Sequence, residues 1–282
     1  MISRSQKIGI VGLGMLGGSY AKGFYNAGYD VIGIDIDEKA IEYGKKMKWI
    51  VEGGTDPSLV SKCDLVIFAI YPMKFAEWIE NYQHYFKSGI IISDVTGIKR
   101  VVIEKVNSIL REDVEFIACH PMAGREYKGI AYADCNQFQT SNYIIVPTEK
   151  NSERAVQMAY DIGKVLKFKT ISTLGVEEHD RMIGFVSQLC HVIAISLMNL
   201  SEDPKIVDYT GDSFRDLTRI ANINETLWPE LFIYNKDYLT EEVDSLIGQM
   251  NVLKRYIQDE NVEEMQKLMI QATERRRKFD KR

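Results

Sequence analysis

The run Gly12-Leu13-Gly14-Met15-Leu16-Gly17 follows the apolar stretch Ile8–Val11 and leads into a helical pattern that begins Gly18-Ser19-Tyr20-Ala21-Lys22. A strand, a tight glycine turn and a helix, in that order, are what binding a dinucleotide pyrophosphate requires. Gly12 permits the turn, Gly14 lets the backbone approach the phosphates, and Gly17 lets the helix sit close on the strand, leaving the anion at the helix N-terminus. Met15 and Leu16 stand on the same edge and are assigned with the glycines to the cofactor site. Asp35 closes the next β-branched run, Val31–Ile34, eighteen residues beyond Gly17. A carboxylate there accepts ribose hydroxyls and repels the extra phosphate of NADP, so the expected cofactor is NAD. Tyr71-Pro72, directly after Leu65–Ile70, is expected to border the same cofactor. Asp94-Val95-Thr96-Gly97 follows Ile90–Ser93, and His120-Pro121-Met122-Ala123-Gly124 follows Phe116–Cys119. Sheets of this kind bind ligands beyond the carboxyl ends of their strands, and an imidazole there can exchange a proton near neutral pH.

These residues need a scaffold, and the hydrophobic periodicity describes one. The β-branched runs, with Tyr143–Val146 and Lys169–Leu174 added, alternate with amphipathic segments at Tyr20–Ala27, Glu38–Met47, Lys74–Phe86, Arg100–Leu110 and Glu153–Leu166. Alternating strands and helices predict an α/β domain of the Rossmann type, its largely parallel sheet wound on both faces. From Val176 onward only helical periodicity remains, including one long stretch over Thr226–Tyr256. The boundary is placed at Leu174-Gly175, giving an NAD-binding domain over 1–174 and an all-helical substrate and dimerisation domain over 175–282. The apolar face from Trp228 to Leu253, with Val262, Met265, Leu268 and Met269, exceeds what a short helical unit can cover by itself, so a homodimer through this domain is expected.

Composition excludes several function classes. A net charge of −5 over 282 residues, with cations and acids interspersed, provides no basic face for nucleic acid. The apolar segment Met182–Leu200 is interrupted by Ser187, Gln188, His191, Ser196 and Asn199, which argues against a membrane span, and the first residues lack the pattern of a signal peptide. Four dispersed cysteines suit reduced thiols and a cytoplasmic location. No metal is expected: the neighbours Cys119-His120 and Cys190-His191 lack a second ligand at metal-binding spacing. The basic end, Arg275 to Arg277 with Lys278, Lys281 and Arg282, suits a solvated helix C-terminus.

Taken in order, several motifs resemble the prephenate and arogenate dehydrogenases. They are Gly12 to Ser19, Asp94 to Lys99, His120 to Gly124 with Glu126, Glu178-His179-Asp180, Ser187 to His191, and Phe214 to Ala221 with Trp228. The resemblance spans nearly the whole chain and implies an NAD-dependent oxidative decarboxylation of prephenate to 4-hydroxyphenylpyruvate, in tyrosine biosynthesis. It implies that His120 is the catalytic histidine, that His191 and Arg219 line the substrate pocket, and that Glu126, His179 and Trp228 surround it. Of the two arginines one helical turn apart, Arg219 has the family's spacing of nine residues to Trp228, whereas Arg215 is expected to pair with Asp212 or Asp216.

The chain departs from the family at two points. Gly97 stands where a serine is common, and Ser187-Gln188-Leu189-Cys190-His191 replaces the usual Ser-His-Leu-Pro-His. Thr96 and Gln188 are therefore assigned to the substrate pocket as the polar groups that remain. Alternative readings are an arogenate dehydrogenase yielding tyrosine directly, a hydroxyacid dehydrogenase of the same two-domain plan, and an NAD-sensing module without chemistry.

Overall fold

The computed structural model describes residues 2–124 and 127–279. Eight strands form one sheet: β1 (Ile8–Val11), β2 (Val31–Ile34), β3 (Glu52–Gly54), β4 (Leu65–Phe68), β5 (Ile91–Asp94), β6 (Glu115–Pro121), β7 (Asn142–Val146) and β8 (Thr170–Thr173). Their order is β3-β2-β1-β4-β5-β6-β7-β8. Every pairing is parallel except β6 with β7, where His120 lies opposite Ile144. β1, β2, β4 and β5 are buried along their whole length because helices cover both faces of the sheet, which is why they read as unbroken apolar runs. The covering helices are α1 (Met15–Asn26), α2 (Glu38–Lys46), α3 (Pro72–Tyr82), α4 (Arg100–Ile109) and α5 (Glu153–Val165). The short edge strand β3, with two glycines in three residues, has no periodicity to announce it and was not expected.

Beyond β8 the chain is helical. α6 (Val176–Ile183) passes through a single π turn, Gly184–Gln188, into α7 (Leu189–Met198). Then come the short α8 (Ile206–Tyr209) and α9 (Asp212–Thr218), followed by α10 (Leu227–Tyr234), α11 (Lys236–Gln258) and α12 (Val262–Arg277). The helix expected over Thr226–Tyr256 is thus two helices, broken at the fully buried Asn235, because the apolar periodicity continues in register across the break. By length and composition alone, Val176–Met198 could cross a bilayer. Here, however, His179, Asp180 and Gln188 are buried in hydrogen bonds to the rest of the chain, while Met182 and Phe185 stay exposed.

The helical unit grips the sheet domain at the carboxyl ends of its strands. Asp180 of α6 caps the first turn of α4, accepting hydrogen bonds from the Lys99 and Arg100 amides at 2.9 Å each. Glu230 of α10 accepts from the Met73 amide at the start of α3 at 2.6 Å. Both carboxylates sit at helix N-termini, where the backbone dipole favours negative charge.

Candidate active site

The glycine turn is shaped by steric necessity. Gly12 has φ +93°, and a Cβ there would lie 2.5 Å from the Ala69 carbonyl oxygen; a Cβ on Gly17 would lie 1.8 Å from the Gly12 carbonyl oxygen. At Gly14, by contrast, a Cβ would meet nothing within 4 Å, so the turn presents an open face at the start of α1. Strand order reverses between β1 and β4, opening the crevice in which such sheets bind dinucleotides. Asp35 faces the turn: its carboxylate accepts from the Leu13 amide and, at 2.8 Å, from the Asp37 amide. Asp37 caps α2 through the Lys39 amide at 2.9 Å. A cavity of about 380 Å³ is lined by Leu13, Gly14, Asp35, Asp37 and Lys39, with Gly129 to Ala131 as its opposite wall. An open cradle of amides beside a ribose-facing carboxylate fits NAD. The Met15 side chain turns away toward Gln137 and Leu16 packs on the core, so what these two offer a dinucleotide is backbone. The Tyr71 hydroxyl accepts from the Asn224 side chain at 3.0 Å, and Pro72 opens α3; this corner ties the helical unit to the lip of the crevice.

At the end of β6, His120 Nδ1 lies 2.9 Å from His179 Nε2, and His179 Nδ1 lies 2.7 Å from Asp180 Oδ1. The carboxylate can only accept, so it places a proton on His179 Nδ1. His179 Nε2 then accepts from His120 Nδ1–H, which leaves the lone pair of His120 on Nε2. Burial, then the neighbouring His179, then Lys99, push the His120 pKa well below its ordinary value of 6.5. Burial likewise lowers that of His179, against the opposing pull of Asp180. Both rings are thus neutral near pH 7. His120 Nε2 faces Gly97, where a Cβ would stand 3.7 Å away, with Leu231 Cδ1 of α10 at 3.8 Å from the same point.

Beneath the imidazole lies a fully buried ion pair. Lys99 Nζ donates to Asp94 Oδ2 at 2.7 Å and to the Cys119 carbonyl at 2.6 Å, while Asp94 Oδ1 accepts from the Cys119 amide at 3.0 Å. This cluster welds the ends of β5 and β6 and thereby fixes the strand that presents His120. Two site assignments require correction here. The Thr96 hydroxyl donates into this cluster and accepts from Lys99, so it is turned inward rather than toward a substrate. Gln188 is equally committed: its amide donates to the Leu231 carbonyl at 2.9 Å and accepts from Asn235 at 2.7 Å.

On α7, His191 Nδ1 donates to the Ser187 carbonyl at 2.9 Å, and its ring lies against Trp228 of α10 with centroids 3.6 Å apart. Trp228 is one turn before Leu231, so α10 touches both the His191 ring and the Gly97 corner beside His120. Arg219 opens onto a cavity of about 500 Å³ between the end of α7 (Ile195, Met198, Asn199) and residues Thr218 to Ile223; His120 is not among its lining residues. Arg215 pairs with Asp212 at 3.2 Å in solvent. Glu126 lies outside the described residues. The residues that sequence reasoning left without a role are Asp94, Lys99 and Asp180. Their only signal was membership of motifs named for other reasons.

A nucleotide crevice joined to a buried histidine and a helical unit defines an NAD-dependent oxidoreductase. The description "Prephenate dehydrogenase, nucleotide-binding domain" matches residues 21–172, and "Prephenate dehydrogenase, dimerization domain" matches residues 175–271. The chain belongs to the prephenate dehydrogenase family. The prephenate dehydrogenase of Bacillus subtilis is 26% identical over 91% of this chain and 71% of its own length. That of Lactococcus lactis is 29% identical over 85% and 68%. The crystal structure of prephenate dehydrogenase from Aquifex aeolicus in complex with hydroxyphenyl propionate and NAD+ superposes with a TM-score of 0.90 at 25% identity, covering 99% of this chain and 100% of that one.

Proposed function

We propose that this chain oxidises and decarboxylates prephenate, with His120 as the group that takes the ring hydroxyl proton. The observation that carries the reading is the hydrogen-bonded series His120, His179, Asp180, which leaves a neutral imidazole whose Nε2 lone pair faces the space beside Gly97 at the carboxyl end of β6. NAD, when bound, supplies the hydride acceptor. His120 Nε2 accepts the proton of the hydroxyl as the carbon bearing it gives up hydride. The positive charge this creates is shared through His179 toward Asp180. The ring carboxylate leaves as carbon dioxide, its bonding electrons entering the ring, and His120 returns the proton to the oxygen as the ring becomes a phenol. Aromatisation makes the step strongly downhill, so the protein has only to orient and polarise. Arg219 is assigned a substrate carboxylate, and the His191–Trp228 pair a wall of the substrate pocket.

The apolar residues left exposed on the helical unit, among them Met182, Phe185, Met250, Ile257, Met269 and Ile270, are assigned to a homodimer interface. A monomeric mass by light scattering at micromolar concentration would remove that assignment.

The deciding experiment is NADH formation on mixing the protein with NAD and prephenate, repeated with arogenate. Turnover with prephenate that drops by about 10² or more in His120→Asn, with NAD affinity kept, is the expected result. Preference for arogenate would transfer the reading to that substrate, and NAD binding without turnover on either would make the chain a sensing module.

A further inference from the structure

The helix that carries His179 reaches His191 only through the π turn Gly184–Gln188. One additional residue in a turn rotates everything after it by about 100°, so this turn decides which way α7 presents His191 relative to α6. The turn is held by two buried amides. Asn235, fully buried at the break between α10 and α11, donates from Nδ2 to the Asp180 carbonyl at 2.9 Å and to Gln188 Oε1 at 2.7 Å. Gln188 in turn donates from Nε2 to the Leu231 carbonyl at 2.9 Å. A Cβ on Gly184 would lie 3.4 Å from Asn235 Nδ2, so the two segments meet at van der Waals contact.

We infer that Gln188 and Asn235 are positioning residues for the proton-accepting histidine, an inference that rests on the role proposed for His120. Both ends of the clamp terminate on the imidazole's surroundings. At one end it holds the backbone of Asp180, whose carboxylate fixes His179 and, through it, His120 Nδ1. At the other end it holds Leu231, whose side chain borders the space beside His120 Nε2. The Asp180 carbonyl also accepts from the Gly184 amide, so Asn235 Nδ2 adds a second hydrogen bond to it and fixes the last turn of α6 where it enters the π turn. Residues 176–198 contain no proline, so the distortion is not imposed by a missing backbone donor.

The test is Gln188→Met in the full-length protein, made in the native background and in His179→Phe. Methionine keeps the length of the side chain and removes both hydrogen bonds. A clamp acting through His179 lowers turnover roughly tenfold in the native background, leaves NAD affinity unchanged, and lowers turnover no further once His179 is gone, because residues in one network are not additive. Equal fold losses in both backgrounds, or unchanged turnover in the native one, would overturn it. Should the methionine variant not fold, Gln188→His retains a donor and an acceptor. It is expected to stay within about threefold of the native turnover, and a loss as large as that of His179→Phe would count against the clamp. Near-native turnover of His120→Asn would instead sink the underlying reading, whatever Gln188 does.

Discussion

His179→Phe keeps a planar ring, somewhat larger, at a fully buried position and removes two hydrogen bonds, those at 2.9 Å to His120 and 2.7 Å to Asp180. In the resting site the His120–His179 bond joins two neutral rings. During the reaction His120 becomes cationic, and hydrogen bonds to charged groups contribute about 1.5–3 kcal/mol. Turnover should therefore fall about 10- to 150-fold, with the affinity for NAD, which the Gly12–Gly17 turn and Asp35 are assigned to hold, unchanged. The pH profile has a sign of its own. Activity needs neutral His120, so it rises with pH through the pKa of that group and is flat above it. Because burial holds this pKa below 6.5, the plateau of the native protein extends to mildly acid pH. Stability carries the same signature. Both histidines have depressed pKa values, so the unfolded chain binds more protons, and stability present above about 6.5 is lost as pH falls through that range. Each histidine contributes at most about 1.4 kcal/mol per pH unit to that slope, and the variant should lose one of the two contributions. Steady-state rates followed by NADH absorbance between mildly acid and neutral pH, with urea melts at the same values, measure all of this. Turnover within twofold of native would refute the tautomer argument.

Asp35→Ala should weaken NAD far more than NADP, because the carboxylate both accepts ribose hydroxyls and repels a phosphate; equal loss for the two cofactors in a binding titration would remove Asp35 from the site. Lys99→Met leaves Asp94 buried without its cation and should destabilise the fold by about 3–5 kcal/mol, read as a lower melting temperature, and a change under about 1 kcal/mol would show the cluster relaxes without it. Arg219→Ala should raise the KM for prephenate roughly 30- to several-thousand-fold, the cost of a lost guanidinium–carboxylate contact of about 2–5 kcal/mol, and leave that for NAD nearly unchanged. Arg215→Ala breaks only its solvent-exposed pair with Asp212 and should change stability by no more than about 1 kcal/mol; a substrate defect in this variant instead of Arg219→Ala would reverse the assignment.

What was legible beforehand was local. The glycine turn, Asp35 and the buried strands depend on neighbours in the chain, and their spacing reports them. Contacts between distant segments are different: His120 and His179 are 59 residues apart, and no local spacing relates the end of β6 to α6. Thr96 and Gln188 show the same boundary from the other side. Residue type states what a side chain can bond to, and only packing states which way it faces, so both polar groups assigned to a substrate are consumed by the protein. The least legible feature, the Asp94–Lys99 pair, bears directly on the chemistry. A buried ion pair is weak evidence for stability, since its desolvation offsets its attraction, and apolar residues would hold β5 and β6 together as well. What apolar residues would not supply is a fixed ammonium near the end of β6, one of the influences that keep His120 from taking up a proton. The cluster therefore adds, behind burial, to what favours the neutral imidazole that the proposed reaction requires.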